Sequence, residues 1–362
     1  MAQFLGEEPS ADELEDRALA LFVDYAPAIA LYEAILAEDP DFPHLDAVLF
    51  NLGMILSDDG QPTAAGYLAR LVREYPDSPD CQEAWLRMGN DRFDREDFAG
   101  CVSLFEQAAA GQDPSFTAIA LYKLGWAHFE EDRFDNSADA FRRLMDLYAA
   151  HEDLAEDMDL GDEAEEYLVH SLARSGGADA FRTYFDNLGG RVYESRVLIS
   201  LGYMMRRVSL YEEAVECDEL WLDPYPLHPQ ALAVAERLID TYRSWNKPDA
   251  AREVKLAQAE RFLPDSQWFR ANKDDAAQAA GLRFAQSAYR ETAAHQHFRA
   301  RQNDDAASWR SALTNYEHYL MYWPDADDAP RIHFLAGETA SRLSGFSSAI
   351  AHYTMAAKSD SS

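Results

Sequence analysis

Few residue patterns in the 362-residue chain could support catalysis or metal binding. The sequence contains no nucleophile elbow, no HExxH motif, no P-loop, no GxGxxG string and no kinase motif. Its three cysteines, Cys81, Cys101 and Cys217, are odd in number and lack CxxC spacing, so they predict neither a disulfide framework nor a zinc site. We expect buried, inert cysteines, no enzyme activity, no metal and no cofactor.

One histidine pair and two acidic strings remain as candidate metal ligands. His295 and His297 are two residues apart, and on a helix such residues point about 200° apart and cannot share one ion. The strings 157–161 and 325–328 contain closely spaced aspartates but lack the closing glutamate of a calcium-binding loop. We therefore expect solvated histidines rather than a metal site. We expect solvated acidic loops as well, with adventitious calcium binding as the alternative for the loops.

The charge of the chain argues against two classes of partner. Asp and Glu number 65 against 32 Lys and Arg, which gives a formal net charge of −33. Such a surface repels phosphate backbones and anionic lipid headgroups, so we expect neither nucleic acid nor a membrane surface as a partner. The charge is uneven, because residues 1–60 hold fourteen acids and one base, and residues 152–166 hold nine acids and no base.

The N-terminal residues carry no recognisable targeting signal. The start MAQFLGEEPSADE has no basic region and no apolar stretch of about 7–15 residues, and no window approaches the ~20 apolar residues of a membrane span. A cytoplasmic location follows from this sequence as it stands, and a periplasmic one if a leader has been removed.

A 36-residue period organises the chain. The pairs Leu52-Gly53, Met88-Gly89 and Leu124-Gly125 recur at this spacing, as do Phe105 and Phe141. Each unit shows apolar residues at i, i+3, i+4 and i+7, then a polar turn and a second such helix. Proline-containing strings separate the units, because Pro ends a helix and Asp or Ser caps the next one. These strings are YPDSP (75–79), QDPS (112–115), YPLHPQ (225–230), LPDS (263–266) and WPDADDAP (323–330).

This pattern resembles the tetratricopeptide repeat, a helix-turn-helix unit of about 34 residues. The third unit matches best, with Trp85, Met88-Gly89, Phe105, Ala108 and Pro114 at or next to the expected positions. The other units match in part. The resemblance implies an all-α fold, a right-handed α-solenoid of about nine such helix pairs.

The repeat predicts four segments along the chain. Residues 1–150 hold the first four units, and residues 151–194 hold an acidic insertion and a divergent helix pair. Residues 195–268 hold units six and seven, and residues 269–362 hold a long helix and the C-terminal units. The long helix, over about 270–300, exceeds the length of a repeat helix, and we expect it to brace the last two repeats.

The connections and helices are similar to those of bacterial envelope tetratricopeptide proteins. The YPDSP string and the LGxxxF-type helices resemble outer-membrane assembly lipoproteins of the BamD kind and cell-division coordinators of the CpoB kind. The string LYKLGWAHFEEDRF, the acidic insertion and GGRVYESRVLISLGY resemble large tetratricopeptide proteins of delta-proteobacterial envelopes, including some linked with gliding motility. The resemblance implies a periplasmic scaffold in a cell-envelope complex.

In this family the first helix of each unit lines a concave groove. The resemblance therefore implies which residues of this sequence face the groove. In the first half of the chain the implied groove residues are mostly aromatic or apolar, namely Phe50, Met54, Leu86, Asn90, Phe93, Tyr122, Trp126 and Phe129. In the second half they are mostly basic, namely Arg196, Tyr203, Arg206, Arg207, Tyr242 and Arg243. Leu86 replaces the lysine of a carboxylate clamp, which argues against the recognition of chaperone tails.

Two questions about these groove residues stay open at this point. The arginines either pair with neighbouring acids on the helical surface, or hold an acidic peptide or a small anion. The aromatic residues Trp126 and Phe129 either fill the space between repeats or contact a ligand.

The predicted function is a non-catalytic scaffold or adaptor that binds a protein or peptide partner, with an acidic segment as one expected ligand. The alternative is a structural subunit that forms homo-oligomers through an exposed apolar face of the last repeat. The third class is an enzyme without a recognisable catalytic motif.

Overall fold

The computed structural model describes residues 24–151, 153–154, 158, 160–303 and 305–359. Every regular element in these ranges is helical, and none of the described residues lies in a strand. The chain divides into two compact bodies, residues 1–171 and residues 172–362, here called the N-terminal body and the C-terminal body. The all-α prediction is confirmed.

The N-terminal body is a succession of helices in its described part. They are α1 (Ala26–Glu38), α2 (Leu45–Asp58), α3 (Ala64–Glu74), α4 (Cys81–Asp94), α5 (Phe98–Ala109), α6 (Pro114–Glu130), α7 (Phe134–Ala150) and α8 (Gly161–Ser175), in which the boundary between the bodies falls. From α1 to α7 each helix packs against the next. The pairs α2/α3, α4/α5 and α6/α7 are the second, third and fourth units expected from the sequence.

The C-terminal body continues the series of helix pairs. Its helices are α9 (Gly177–Asp186), α10 (Glu194–Arg207), α11 (Tyr211–Leu222), α12 (Ala231–Ser244), α13 (Pro248–Ala259), α14 (Gln267–Ala271), α15 (Asp275–Asn303), α16 (Ala306–Tyr322), α17 (Ala329–Arg342) and α18 (Phe346–Ser359). A single 3₁₀ turn, Glu260–Phe262, follows α13. Consecutive helices pack in the pairs α10/α11, α12/α13, α15/α16 and α17/α18.

The long helix predicted over 270–300 is present, with its start shifted. Helix α15 begins at Asp275, after the short α14, and spans 29 residues. It packs against α13 and α16, so it is the first helix of the eighth pair as well as a longer element. Small buried residues such as Ala285, Ala288 and Ala293 allow this close approach.

Two of the five predicted connections cap the next helix with a side chain, Asp113 for α6 and Ser266 for α14, whereas the residues at the starts of α4, α12 and α17 make no such hydrogen bond. The Asp113 carboxylate accepts hydrogen bonds from the backbone amides of Ser115 and Phe116, and Pro114 occupies the first turn of α6. The Asp97 carboxylate caps α5 in the same way by accepting from the Gly100 amide at 3.0 Å. These side chains satisfy amides that have no partner within the helix.

The turn within a helix pair places one residue in the left-handed backbone region. These residues are Gly60, Glu96, Asp132, Ser209, Asn246 and Ser344, with φ between 56° and 69°. Glycine and asparagine adopt this conformation readily, whereas a longer side chain such as that of Glu96 adopts it at a cost.

A glycine in the first helix lies beneath a large side chain of the second. A Cβ atom added to Gly89 would lie 2.6 Å from Cε1 of Phe105, and one added to Gly125 would lie 2.7 Å from Cε2 of Phe141. At Gly53 the nearest atom would be a methyl carbon of Leu68 at 2.5 Å. The Leu-Gly pairs and the phenylalanines recur every 36 residues because the same contact between a glycine and a large side chain of the next helix recurs in the second, third and fourth units.

The three cysteines lie in the core of the described structure. Cys81, Cys101 and Cys217 are buried and free, as predicted. Among the described helices, none combines the length and the apolar character that a membrane span requires. Residues 1–23, and residues 152, 155–157 and 159 of the acidic insertion, lie outside the described residues.

The glycine contact gives a direct stability prediction. Gly125→Val should lower the free energy of unfolding by about 2 kcal/mol, because the branched side chain overlaps Phe141. The matched control is Gly66→Ala in α3, where nothing lies within 4 Å of an added Cβ. This control should gain up to about 1 kcal/mol from helix propensity. Urea denaturation followed by circular dichroism measures both, and a Gly125→Val protein as stable as the wild type would contradict the packing described.

Candidate protein-binding surfaces

The N-terminal body has a groove between the first helices of two consecutive pairs, α4 and α6. Its cavity of about 420 Å³ is lined by Phe93, Asp94, Glu96, Phe98, Tyr122, Lys123, Trp126 and Glu130, and we call it the aromatic groove. The structure thus brings together three of the residues singled out in the sequence, Phe93, Tyr122 and Trp126. All three side chains are half-buried.

Trp126 lies at the centre of a network of rings. Its ring centroid is 4.1 Å from that of Tyr167 and 6.2 Å from that of Phe129. Phe129 and Tyr167 also contact each other edge to face, at 5.3 Å. Such contacts fix the orientation of the rings, so Trp126 packs between helices, and its ring also lines the cavity.

Tyr167 was not singled out in the sequence. It lies on α8, after the acidic insertion, where the 36-residue register is interrupted. Its aromatic character at a first-helix position is the one signal that could have identified it.

Burial governs the ionisation of the groove tyrosine. Burial, and after it the neighbouring Glu163 carboxylate, raises the pKa of Tyr122 to about 12. The hydroxyl thus stays protonated to a higher pH than that of an exposed tyrosine, and it is a hydrogen-bond donor rather than a charged group.

The remaining expected residues of this body occupy less open positions. Phe50 is half-buried and packs against the core cluster that contains Leu49, and Met54 is also half-buried. Leu86 is only 4% exposed in the core with Phe105, so its expected place on the groove is wrong. Asn90 is half-buried, and its Oδ1 atom has no hydrogen-bond partner among the described residues.

In the C-terminal body, α10 presents the expected basic residues. Arg196 and Arg207 are exposed, and Arg206 is half-buried. Tyr203 is 55% exposed, and the guanidinium carbon of Arg237 lies 4.1 Å from the centre of its ring. Within the part of the chain that the structure describes, neither Arg206 nor Arg207 makes a salt bridge.

The expected residues of α12 have partners within the protein. Arg243 forms an ion pair with Asp240 at 3.0 Å, and the hydroxyl of Tyr242 donates to Glu219 at 3.5 Å. Internal pairing, one of the two alternatives for the arginines, therefore applies to Arg243. It does not apply to Arg206 and Arg207.

A second cavity, of about 520 Å³, lies between α12 and α15 with α13 behind it. Its lining residues are Glu236, Ile239, Asp240, Arg243, Lys255, Ala280, Arg283, Phe284 and Ser287. Lys255 is buried, and its ammonium donates to Ser287 and to Glu291, each at 2.8 Å. Lys255 and Arg283 were not identified in the sequence, because α13 is a second helix and α15 departs from the repeat length.

A buried ion pair lies beneath the basic surface of α10. Arg237 Nε and Nη2 both donate to Oδ1 of Asp218, and Arg237 Nη1 donates to the backbone carbonyl of Ile199 at 3.0 Å. Burial raises the pKa of Asp218 to about 6, although the Arg237 guanidinium acts in the opposite direction. Asp218 and Arg237 occupy the space above Gly202 that Phe105 and Phe141 fill above their glycines.

The candidate metal ligands lie apart in the described structure. His295 is half-buried near Asp249, but the expectation of a solvated side chain is wrong for His297, which is buried against Thr339. Asp328 accepts hydrogen bonds from the Tyr319 hydroxyl and from Arg290, while Asp157 and Asp159 lie outside the described residues. Within the described ranges, no group of three or more His, Cys, Asp or Glu side chains could hold a metal ion.

Comparison with known proteins identifies two repeats. The tetratricopeptide repeat family model matches residues 47–78 and 119–151, which correspond to α2/α3 and to most of α6/α7. The chain therefore contains tetratricopeptide repeats, and the fold is an array of such helix pairs. No curated protein matches the chain.

Two solved structures have similar chains at low identity. A tetratricopeptide repeat protein from Parabacteroides merdae ATCC 43184 is 11% identical, with 81% of this chain and 98% of that chain covered and a TM-score of 0.31. The apo form of RapI is 10% identical, with 96% of this chain and 92% of that chain covered and a TM-score of 0.34.

The buried ion pair gives a pH-dependent prediction. Arg237→Met should lower the free energy of unfolding by about 3–5 kcal/mol at pH 7, because it leaves the Asp218 carboxylate buried without a partner. The pKa of Asp218 is raised above its unfolded value, and it rises further without Arg237. The folded variant therefore binds a proton more tightly, and its deficit should shrink as the pH falls from 7 to 5.

The control for this prediction is Arg243→Met, which removes the exposed ion pair between Arg243 and Asp240 on the same helix. That variant should lose less than about 0.5 kcal/mol at either pH. Urea denaturation at pH 7 and pH 5 measures both variants. Equal losses for the two arginines would contradict the role assigned to the buried pair.

Proposed function

We propose that this protein is a non-catalytic scaffold that binds a protein or peptide partner on the first-helix surface of its N-terminal body. The carrying observation is the aromatic groove, in which half-buried rings of two consecutive first helices line one open cavity. Trp and Tyr are the residues that contribute most to protein interfaces, because they bury large area with few rotatable bonds. A cavity lined by rings with a few charged groups suits an apolar side chain of a partner.

The basic surface of α10 supports a second contact with an acidic segment. Arg206 and Arg207 make no salt bridge within the described ranges, although acids outnumber bases twofold in the chain. A guanidinium matches a carboxylate through two parallel hydrogen bonds. We therefore propose that the C-terminal body binds an acidic peptide, or a small anion, through Arg196, Tyr203, Arg206 and Arg207, with Tyr242 and Arg243 at the edge.

The resemblance of the repeats to bacterial envelope proteins supports a place for this scaffold in a cell-envelope complex in the periplasm. The supporting features are the YPDSP connection and the LGxxxF-type helices, which are similar to those of the BamD and CpoB kinds.

A second candidate function, assembly into homo-oligomers, is favoured by the last helix pair. Phe334 on α17 is 54% exposed, and Phe346 and Ile350 on α18 are 64% and 66% exposed. Phe346 and Ile350 lie one turn apart on α18, and contiguous exposed apolar surface of this kind is typical of a surface that another chain covers.

Affinity capture from an extract of the source cells tests the scaffold function. The double variant Phe93→Ala plus Trp126→Ala should recover at least tenfold less of the partner, because it removes the rings that line the cavity. Arg206→Glu plus Arg207→Glu should reduce the recovery of a partner that binds α10 through an acidic segment of its own. Quantitative mass spectrometry of the captured proteins measures both.

The controls remove comparable groups elsewhere. Leu31→Ser removes a side chain that is 61% exposed on α1, and Arg310→Glu plus Arg342→Glu reverses two exposed charges on α16 and α17. If both the Phe93/Trp126 variant and the Arg206/Arg207 variant are as stable as the wild type and recover as much partner, neither surface binds the partner and the proposal fails.

Light scattering across a hundredfold range of protein concentration tests the oligomeric alternative. A mass that rises with concentration in the wild type, and stays monomeric in Ile350→Asp, supports assembly through the last pair. A monomer at every concentration excludes this alternative.

A further inference from the structure

The rim of the aromatic groove is acidic. Asp94, Glu96 and Glu130 line the cavity, and Lys123 is the one base among its lining residues. None of these three carboxylates forms an ion pair within the described residues. A partner that enters the groove therefore meets a negative potential at its edge.

Nearby arginines do not neutralise these three carboxylates, because they pair with other acids. Arg92 forms an ion pair with Asp97 at 3.0 Å, and Arg95 forms one with Asp91 at 2.6 Å. The positive charges of the α4–α5 turn are therefore already matched.

The groove already binds one cation of its own. The Lys123 ammonium lies 4.4 Å from the centre of the Phe93 ring, within the range of a cation–π contact. Trp126, whose ring attracts cations more strongly than phenylalanine does, lines the same cavity. The chemistry of this site thus suits an ammonium or guanidinium group beside an apolar side chain.

Glu96 occupies a backbone position that favours a different residue. Its φ is 61°, and the same turn position is left-handed in five other helix pairs, at Asp132, Ser209, Ser344 and the two residue types that adopt it most readily, Gly60 and Asn246. A glutamate in the left-handed region is strained relative to either. The conformation belongs to the turn of the repeat, and in this pair it places the Glu96 carboxylate on the rim of the groove.

We propose that the aromatic groove selects a basic segment of its partner, in which Lys or Arg residues flank an apolar or aromatic side chain. The apolar side chain enters between Phe93 and Trp126, and the flanking cations contact Asp94, Glu96 and Glu130. This inference rests on the proposed function, that the groove binds a partner peptide. It also separates the two surfaces, because the basic surface of α10 suits an acidic segment.

Selection from a displayed library of random 12-residue peptides tests the proposal. The full chain is the bait, and Phe93→Ala and Trp126→Ala proteins, each checked for folding by circular dichroism, identify the peptides that depend on the groove. The groove-dependent peptides should be enriched in Lys and Arg next to Phe, Trp, Leu or Ile, and depleted in Asp and Glu.

The affinity of the tightest groove-dependent peptide then shows how much the acidic rim contributes to binding. In fluorescence anisotropy, the triple variant Asp94→Asn, Glu96→Gln and Glu130→Gln should bind this peptide at least tenfold more weakly than the wild type. The control triple variant, Glu38→Gln, Asp41→Asn and Asp77→Asn, removes the same charge from exposed positions elsewhere in the N-terminal body. It should bind within twofold of the wild type.

The outcomes separate this inference from the proposed function. Groove-dependent peptides that are neutral or acidic, or that bind equally well to the rim variant, would overturn the basic selectivity while leaving the groove as a binding site. A selection that yields no groove-dependent peptide would overturn both.

Discussion

The contact between a first-helix glycine and a large side chain of the second helix is the interaction on which the second, third, fourth and ninth helix pairs depend. Gly89 under Phe105 and Gly125 under Phe141 leave no room for a Cβ atom, so the two helix axes approach as closely as their backbones allow. Above Gly202 of the sixth pair, the corresponding space is occupied by a buried ion pair between Asp218 of the same pair and Arg237 of the seventh. The contact at Gly202 is therefore sensitive to charge and pH, whereas those at Gly89 and Gly125 depend on the fit of an aromatic ring.

The same contact determines where the candidate binding surface lies. Because the glycine face of each first helix is buried, residues on the neighbouring face, such as Phe93 and Trp126, are left half-buried between consecutive first helices. Edge-to-face contacts with Phe98 and Phe129, and a tilted contact of Trp126 with Tyr167, then hold their rings in place. The groove is therefore a consequence of repeat packing, and its chemistry is set by the few residues that the packing leaves free to vary, including Glu96 and Glu130 on its rim.

Much of the fold could be predicted from the sequence, because one helix contact repeats every 36 residues and proline-containing connections separate the units. The bounds of α15 and the burial of Leu86 could not, since both depend on how neighbouring helices pack rather than on the residues of one helix. The candidate site was predicted in part. Phe93, Tyr122 and Trp126 do line one cavity, but Arg243 is paired with Asp240, and Tyr167, Lys255 and Arg283 were missed. The missed residues lie where the repeat register is interrupted or on a second helix, and nothing in a repeat pattern places them beside a groove.

The central claim is that a partner binds over the aromatic groove, and side-chain accessibility tests it most directly. Hydroxyl-radical footprinting of the full chain, with and without its captured partner, reports the oxidation rate of each aromatic side chain. We predict that the partner slows the oxidation of Phe93 and Trp126 at least threefold, while Trp323, a half-buried tryptophan of the C-terminal body, reacts at the same rate in both states. Unchanged oxidation of Phe93 and Trp126 in a saturated complex would contradict the account.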